Sequence, residues 1–363
     1  MLYISKGDEV ILPKRYHRIN NLCAIVYDQL TEILVDKNYD ELKVTSISFD
    51  KKEKSVIDQL KDRNLHALDW LKKNNLNDEL ATVLTKHITL SILSDFVSFM
   101  YESLNCAKKG KMSVAYALLR KPLTDELLIL EQLLYDKERF IDKFFHDGDP
   151  NNYDPSSREI DKRLIIKHAL EKSKPNILFT EDLIYELRYD KSSQNGINGI
   201  SNHALHIVTK DKNYKTDNQN FNFIFSNEED MTEYWDHYYY FVPYLLMYSV
   251  NIIDSLIFQF LQDNDNLNIK AVKSFRRLVG LVLWTENTQQ DMKQANEIMF
   301  KAFSSCITME CPKCRRKVNF TKPDFELFFD SKLFLCPKCF VNLLSVPNAV
   351  DPIRIFMDSI SKG

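Results

Sequence analysis

The sequence predicts a mainly α protein, a helical bundle closed by a small C-terminal module of short β-strands. Three observations predict it. Apolar residues recur at three- and four-residue spacing along most of the chain, the period of a helix with one buried face. Only seven of 363 residues are glycine, roughly 2% against a typical ~7%, too few for folds built on glycine-rich turns. Two Cys-Pro-Lys-Cys pairs, at 311–314 and 336–339, take over where helical periodicity stops, near residue 305.

The helices follow in order. "NNLCAIVYDQLTEILVDK" (20–37) is apolar at helical spacing. Residues 51–74 repeat the pattern through Val56, Leu60, Leu65, Leu68 and Leu71. The longest run is 76–110, with Asn77 or Asp78 to cap its start and Gly110 to close its end. Helix continues over 112–147 after a break at Pro122, restarting at Thr124 with Glu126 two residues on. Residues 146–157 are turn-rich, and a helix follows at 159–173. The region of about 188–227 is polar and asparagine-rich, with Gly196 and Gly199. Polar connections of this length are often functional. Within it "FNFIF" (221–225) reads as a short strand. Helix resumes over 228–263, 268–284 and 289–305. The chain thus divides into a helical domain (1–305), a cysteine module (306–346) and a C-terminal tail (347–363).

Composition excludes several classes. Hydrophobic residues make up 44% and charged residues 27%, as in an ordinary soluble domain. The net charge of −3 rules out a polyanion binder over the whole surface, so nucleic-acid contact requires a local basic patch. There is no GxGxxG after a strand and no GxxxxGK[ST]. GxSxG, HExxH and the kinase signatures are also absent. The stretch 238–260 is long enough to span a bilayer, but Pro243, Asn251 and Asp254 favour a buried core helix and no membrane. The first twenty residues carry charges throughout and show no secretory pattern.

Seven cysteines are an odd number: Cys23, Cys106, Cys306, Cys311, Cys314, Cys336 and Cys339. Four of them form two tight pairs. This is the usage of a reducing, cytoplasmic compartment with a metal site. A Cys-x-x-Cys turn presents two thiolates to one side of a metal, and two such turns complete a tetrahedron. Thioredoxin-like redox chemistry instead places a single pair at a helix start after a strand. "ITMECPKCRRKVNFT" reads as strand, knuckle, strand, and "LFLCPKC" as a second strand and knuckle. In spacing and local pattern the module resembles a four-cysteine zinc ribbon. The resemblance implies Zn2+ held by Cys311, Cys314, Cys336 and Cys339. Such a site has no open coordination position, so the metal folds a module and does not activate water. Seven Lys/Arg and three Asp/Glu lie between 311 and 340. With four thiolates and one zinc this leaves about +2. Arg315, Arg316 and Lys317 are contiguous and suited to phosphates, or to screening the thiolates.

Other constellations are weaker. His203 and His206 are three residues apart, with Arg188 and Asp190 upstream. An imidazole beside a guanidinium suits acid–base work at a phosphodiester. A structural histidine pair on a loop is the plain alternative. "DGDPNN" (147–152) lacks the glycine and glutamate of a calcium loop, and "GING" (196–199) reads as a turn. Arg139 and His146 are seven residues apart, and Arg163 and His168 five.

"VAYALLRKPLTDELLIL" (114–130), with Arg120 ending its apolar helix, resembles HEPN-like and abortive-infection-type bacterial helical proteins. The resemblance implies an all-α bundle, dimerisation, and RNA cleavage or phage defence. The Arg139–His146 spacing is one that HEPN ribonucleases allow. The sequence therefore leads to a zinc-binding, nucleic-acid-binding protein with RNA favoured and homo-oligomerisation expected. If it is an enzyme, it is a metal-independent ribonuclease using Arg188, His203 and His206. The alternative is a non-enzymatic scaffold that uses the ribbon as a protein-docking surface.

Overall fold

Helix-forming patterns dominate the chain and helices dominate the molecule. The computed structural model describes residues 1–5, 7–46, 66–173, 179–260, 263–288, 307–331, 333–345 and 351–361, with 297, 301 and 304–305 between them. Of the helix expected over 51–74, residues 51–65 lie outside these residues, and the helix expected over 289–305 lies almost wholly outside them. The principal helices are α1 (His17–Val35), α2 (Asp40–Lys43), α3 (Ala67–Lys73), α4 (Asn77–Lys108), α5 (Met112–Arg120), α6 (Leu127–Ile141) and α7 (Lys162–Lys172). They continue with α8 (Glu181–Tyr189), α9 (Ile197–Leu205), α10 (Glu228–Ile257), α11 (Asp263–Thr288), α12 (Lys322–Ser331) and α13 (Asp351–Ser361).

The centre is α10. Asn227 caps it, accepting from the Glu229 and Asp230 N–H groups, while Asp230 accepts from the Asn227 N–H. This reciprocal box satisfies the donors that a helix start leaves orphaned. From Tyr238 to Ile257 nearly every side chain is buried, as in a helix enclosed on all sides. It packs against α1, α4, α6 and α11. Among the described residues two helices, α4 and α10, are long and apolar enough to cross a membrane by length and composition alone. The apolar stretch of α10 is 89% buried inside the protein and that of α4 44%.

Several polar groups in the core are paired. Tyr238 and Ser103 hydroxyls meet at 2.7 Å, and Trp235 Nε1 donates to the Ala107 carbonyl at 2.9 Å. Asp254 of α10 takes an ion pair from Lys273 at 3.0 Å and a second from Arg277, both on α11. Gly280 lets α11 approach closely: a Cβ there would stand 2.7 Å from Leu22 Cδ1 and 2.8 Å from Met247 Sδ.

Four expectations change. Pro122 does not break the helix. Lys121–Glu126 forms a wide π turn that joins α5 to α6, and Thr124 Oγ1 donates to the Arg120 carbonyl at 2.5 Å. Arg120 is therefore exposed on a helix that goes on, with no helix end to cap. "FNFIF" is a turn: Phe223 has φ +61° and packs on Tyr234 at 4.5 Å, so its neighbours cannot extend into a strand. Part of the polar connection, Ile197–Leu205, is helical, and so is Asp351–Ser361 within the expected tail.

The π turn gathers a carboxyl pair. Lys121 Nζ contacts Asp95 and lies 3.3 Å from Glu126 Oε1. Burial, and then the hydrogen bond with Asp95, push the Glu126 carboxyl up to about 8, while Asp95 stays below its usual range. The pair thus holds one proton near neutrality.

Candidate metal centre and its basic rim

The C-terminal module is built on a minimal hairpin. Strand β1 (Thr308–Glu310) pairs antiparallel with β2 (Lys317–Asn319) in the register Thr308↔Asn319, Met309↔Val318, Glu310↔Lys317. Met309 and Val318 face inward and Lys317 outward, as the two-residue period requires. The second half has one antiparallel bridge, Leu335↔Asn342. Between them, Phe320 stacks on Phe334 at 3.6 Å and meets Phe275 of α11 at 5.2 Å. The module's apolar side is continuous with the core of the bundle.

Four cysteines close the hairpin ends. Their Sγ atoms all lie within 4.8 Å of one another. Cys311 and Cys339 approach to 3.4 Å, Cys314 and Cys336 to 3.5 Å. A disulfide would need ~2.05 Å, and all four are free thiols. A tetrahedron of sulfurs ~2.3 Å from a metal has edges of about 3.8 Å, so the spacing is that of a four-coordinate site. Each short contact joins one knuckle to the other, so the four sulfurs form one cluster. Cys23, on α1, and Cys106, on α4, take no part in this cluster, and Cys306 lies outside the described residues.

The two knuckles are copies. The first cysteine's N–H donates to the carbonyl five residues on, Cys311 to Arg316 and Cys336 to Val341, both at 2.9 Å. Its carbonyl accepts from the residue four on, Arg315 at 2.8 Å and Phe340 at 2.9 Å. Pro312 and Pro337 preset φ at the second position. Burial pushes the Cys336 thiol up, but the N–H groups of Lys338 and Cys339 outweigh it and hold it at about 6. A thiol so placed is ready to ligate as thiolate. Closing each knuckle forces the next residue into the left-handed region, with Arg315 at φ +59° and Phe340 at φ +57°. Neither is glycine, and each conformation costs about 1–2 kcal/mol.

Both strained residues face solvent. Phe340 is 72% exposed. The Arg315 side chain is 80% exposed and pairs with Glu310 at 3.3 Å, a contact of little strength in water. Lys313, Arg316, Lys317 and Lys338 of the same module are exposed as well. Arg315, Arg316 and Lys317 thus stand together on the rim, as their adjacency requires. Phe340 was not singled out by sequence reasoning. The signal was the repeat itself, since Phe340 follows its knuckle as Arg315 follows the other.

Arg188, His203 and His206 occupy three different settings. Arg188 is fully buried: Nε donates to the Leu123 carbonyl at 2.7 Å, Nη2 to Tyr189 Oη at 2.8 Å, and Nη1 to Glu131. Burial opposes its charge, yet Glu131 outweighs that and holds the guanidinium protonated. Tyr248 donates to the same carboxylate. Its guanidinium therefore serves the core and is closed to a substrate. His203 Nε2 contacts the Tyr214 carbonyl at 2.5 Å, and His206 is exposed just past the end of α9. No hydrogen bond links the three among the described residues. Arg139 and His146 are both exposed, while Arg163 pairs with Asp182 at 2.9 Å and His168 with Glu171 at 2.8 Å.

Fold and site define a helical protein with a four-cysteine cluster that could hold a metal ion. No protein-family model, curated protein or solved structure matches the chain.

Proposed function

We propose that this is a zinc-dependent RNA-binding protein of the cytoplasm, and that the ribbon tip is its binding surface. Zn2+ in the Cys311–Cys314–Cys336–Cys339 site has a structural role, since four sulfurs leave no position for substrate. The observation that carries the reading is Phe340. An aromatic ring is held 72% exposed in a backbone conformation that disfavours it, two residues from exposed Lys338 and on the same four-cysteine module as exposed Lys313, Arg315, Arg316 and Lys317. Aromatic faces stack on unpaired bases and cations track the phosphates, which is how single strands are held without sequence readout. Strain kept at an exposed position is a mark of function.

Cleavage of the HEPN type would need an accessible arginine and histidine side by side. Arg188 instead neutralises Glu131 in the core, and no hydrogen bond joins Arg139 to His146 among the described residues, so the proposal is one of binding.

The test is a fluorescence titration of a labelled single-stranded RNA at 50 and 200 mM salt. Affinity should fall steeply with salt. Phe340→Ala should cost about 1–3 kcal/mol, and Arg315→Ala/Arg316→Ala should flatten the salt slope. Salt-independent binding, or binding indifferent to Phe340, would move the ribbon to protein docking.

A further inference from the structure

Two cations share one carboxylate where α11 packs on α10. Lys273 and Arg277 are both buried, and both pair with Asp254, itself buried. The neighbouring Arg276 has a carboxylate of its own, Glu32, at 3.9 Å. The other contacts of the two cations are neutral: Lys273 Nζ donates to the Gln29 carbonyl at 3.2 Å, and Arg277 Nη2 to Ser274 Oγ at 3.1 Å. Arg277 Nε is buried with no partner among the described residues. Neutral acceptors satisfy hydrogen bonds but cancel no charge. One positive charge is therefore left over in a place where unpaired charge is costly. Burial pushes the Lys273 ammonium down and the Arg277 charge adds to that push, against the pull of Asp254 and Glu32.

The surplus charge borders a cavity. A cleft of about 280 Å3 is lined by Arg277 and Asp254, with Phe258, Lys172 and Lys270. Lys172 is the last residue of α7 and Lys270 lies on α11; both are exposed. Lys172 Nζ donates to the Tyr135 carbonyl at 2.6 Å, and Lys270 Nζ stands 5.8 Å from the centre of the Phe258 ring. Three cations thus line one cleft. Asp254 is the one carboxylate among the described residues that line it, and it is already shared.

The donors define the ligand. A guanidinium at the floor offers a planar fork of N–H groups, and two ammoniums at the mouth offer point charges; together they suit a tetrahedral oxyanion. The cleft is at the small end of ligand sites, with room for a phosphate and a short organic group, and Phe258 gives that group an apolar wall. We infer that the cleft between the C-terminal ends of α7 and α10 and the side of α11 binds the phosphate of a small phosphorylated molecule, with Arg277, Lys172 and Lys270 as donors. The phosphate supplies the missing negative charge and ties α7 to the α10–α11 pair. The inference stands apart from the RNA reading, because it uses none of the ribbon residues.

Isothermal titration of the full chain as purified tests it, with inorganic phosphate and glycerol 3-phosphate as probes at constant ionic strength. The expected result is one phosphate per chain with a Kd below about 1 mM, and a melting temperature that rises with phosphate by mass action. Chloride at the same ionic strength should do neither. Glycerol 3-phosphate should bind at least as tightly as inorganic phosphate. Lys172→Gln/Lys270→Gln should weaken both probes at least 10-fold with the helical circular dichroism unchanged, since both side chains are exposed. Arg277→Lys keeps a charge beside Asp254 but gives up the fork, and should weaken them to a similar degree. Arg315→Ala/Arg316→Ala should change nothing. The inference is overturned by no saturable binding up to 10 mM phosphate, by chloride acting as phosphate does, or by parental affinity in a folded Lys172→Gln/Lys270→Gln or Arg277→Lys chain. Binding lost in Arg315→Ala/Arg316→Ala would also overturn it, by moving the phosphate to the ribbon. Glycerol 3-phosphate binding at least 10-fold more weakly than inorganic phosphate would overturn the assignment to a phosphorylated molecule.

Discussion

Replacing Arg188 by methionine separates a core role from a catalytic one. The guanidinium is wholly buried and serves three acceptors: the Leu123 carbonyl, Tyr189 Oη and Glu131. Methionine fills much of the space but leaves the Glu131 carboxylate buried with only the Tyr248 hydroxyl as partner. Removing one member of a buried ion pair costs about 3–5 kcal/mol. That is a large part of the ~5–15 kcal/mol that holds a typical protein folded. Urea denaturation followed by circular dichroism measures the loss. The double variant Glu131→Gln/Arg188→Met removes the stranded charge while keeping an acceptor for Tyr248, and should recover at least half of it. A loss below about 1 kcal/mol for Arg188→Met, or no recovery in the double variant, would refute this account and return Arg188 to consideration as a functional residue.

Metal analysis of the purified chain should give one Zn2+ per molecule, and Cys336→Ala should sharply weaken retention of the ion, because a closed tetrahedral site needs all four sulfurs. The Glu126 carboxyl is raised to about 8 in the folded chain against ~4.3 unfolded. Its contribution is therefore fully present below pH ~4 and lost as pH rises through 8. Glu126→Gln should flatten that part of the stability–pH curve and gain on the parent most above pH 8, as read by thermal melts across pH 5–9. Phe340→Gly should move stability and function in opposite directions: relief of the left-handed strain keeps the ribbon at least as stable, while RNA affinity falls as for Phe340→Ala.

Local patterns were legible in the sequence, whereas relations across distance were not. Helices α1 and α4 fall within three residues of their expected bounds because their apolar spacing is unbroken. The cysteine cluster was readable because ligand spacing is a local property. At Pro122 the missing N–H predicted a stop, but a π turn and the Thr124 hydroxyl carry the helix past it. "FNFIF" alternates like a strand, yet what decides its shape is Phe223 folding back onto Tyr234. The role of Arg188 depends on Glu131, 57 residues away in the chain, and no local pattern announces that pairing. Phe340 carries no charge and fits no ligand pattern, so only the geometry of the second knuckle, which repeats that of the first, marks it.

The stacking of Phe320 between Phe334 and Phe275, with Ile353 of α13 buried in the same core, has a bearing on how the molecule comes apart. A ribbon on a free linker would melt alone when its ion is withdrawn. Here Phe320 also packs on Phe275 of α11, so if the cysteines hold an ion, its removal is expected to loosen the bundle together with the ribbon. The melting temperature of the whole chain should then track free metal concentration, by the mass-action rule for any ligand that binds only the folded form. Metal supply would set the lifetime of the protein as a whole, beyond the shape of its last sixty residues.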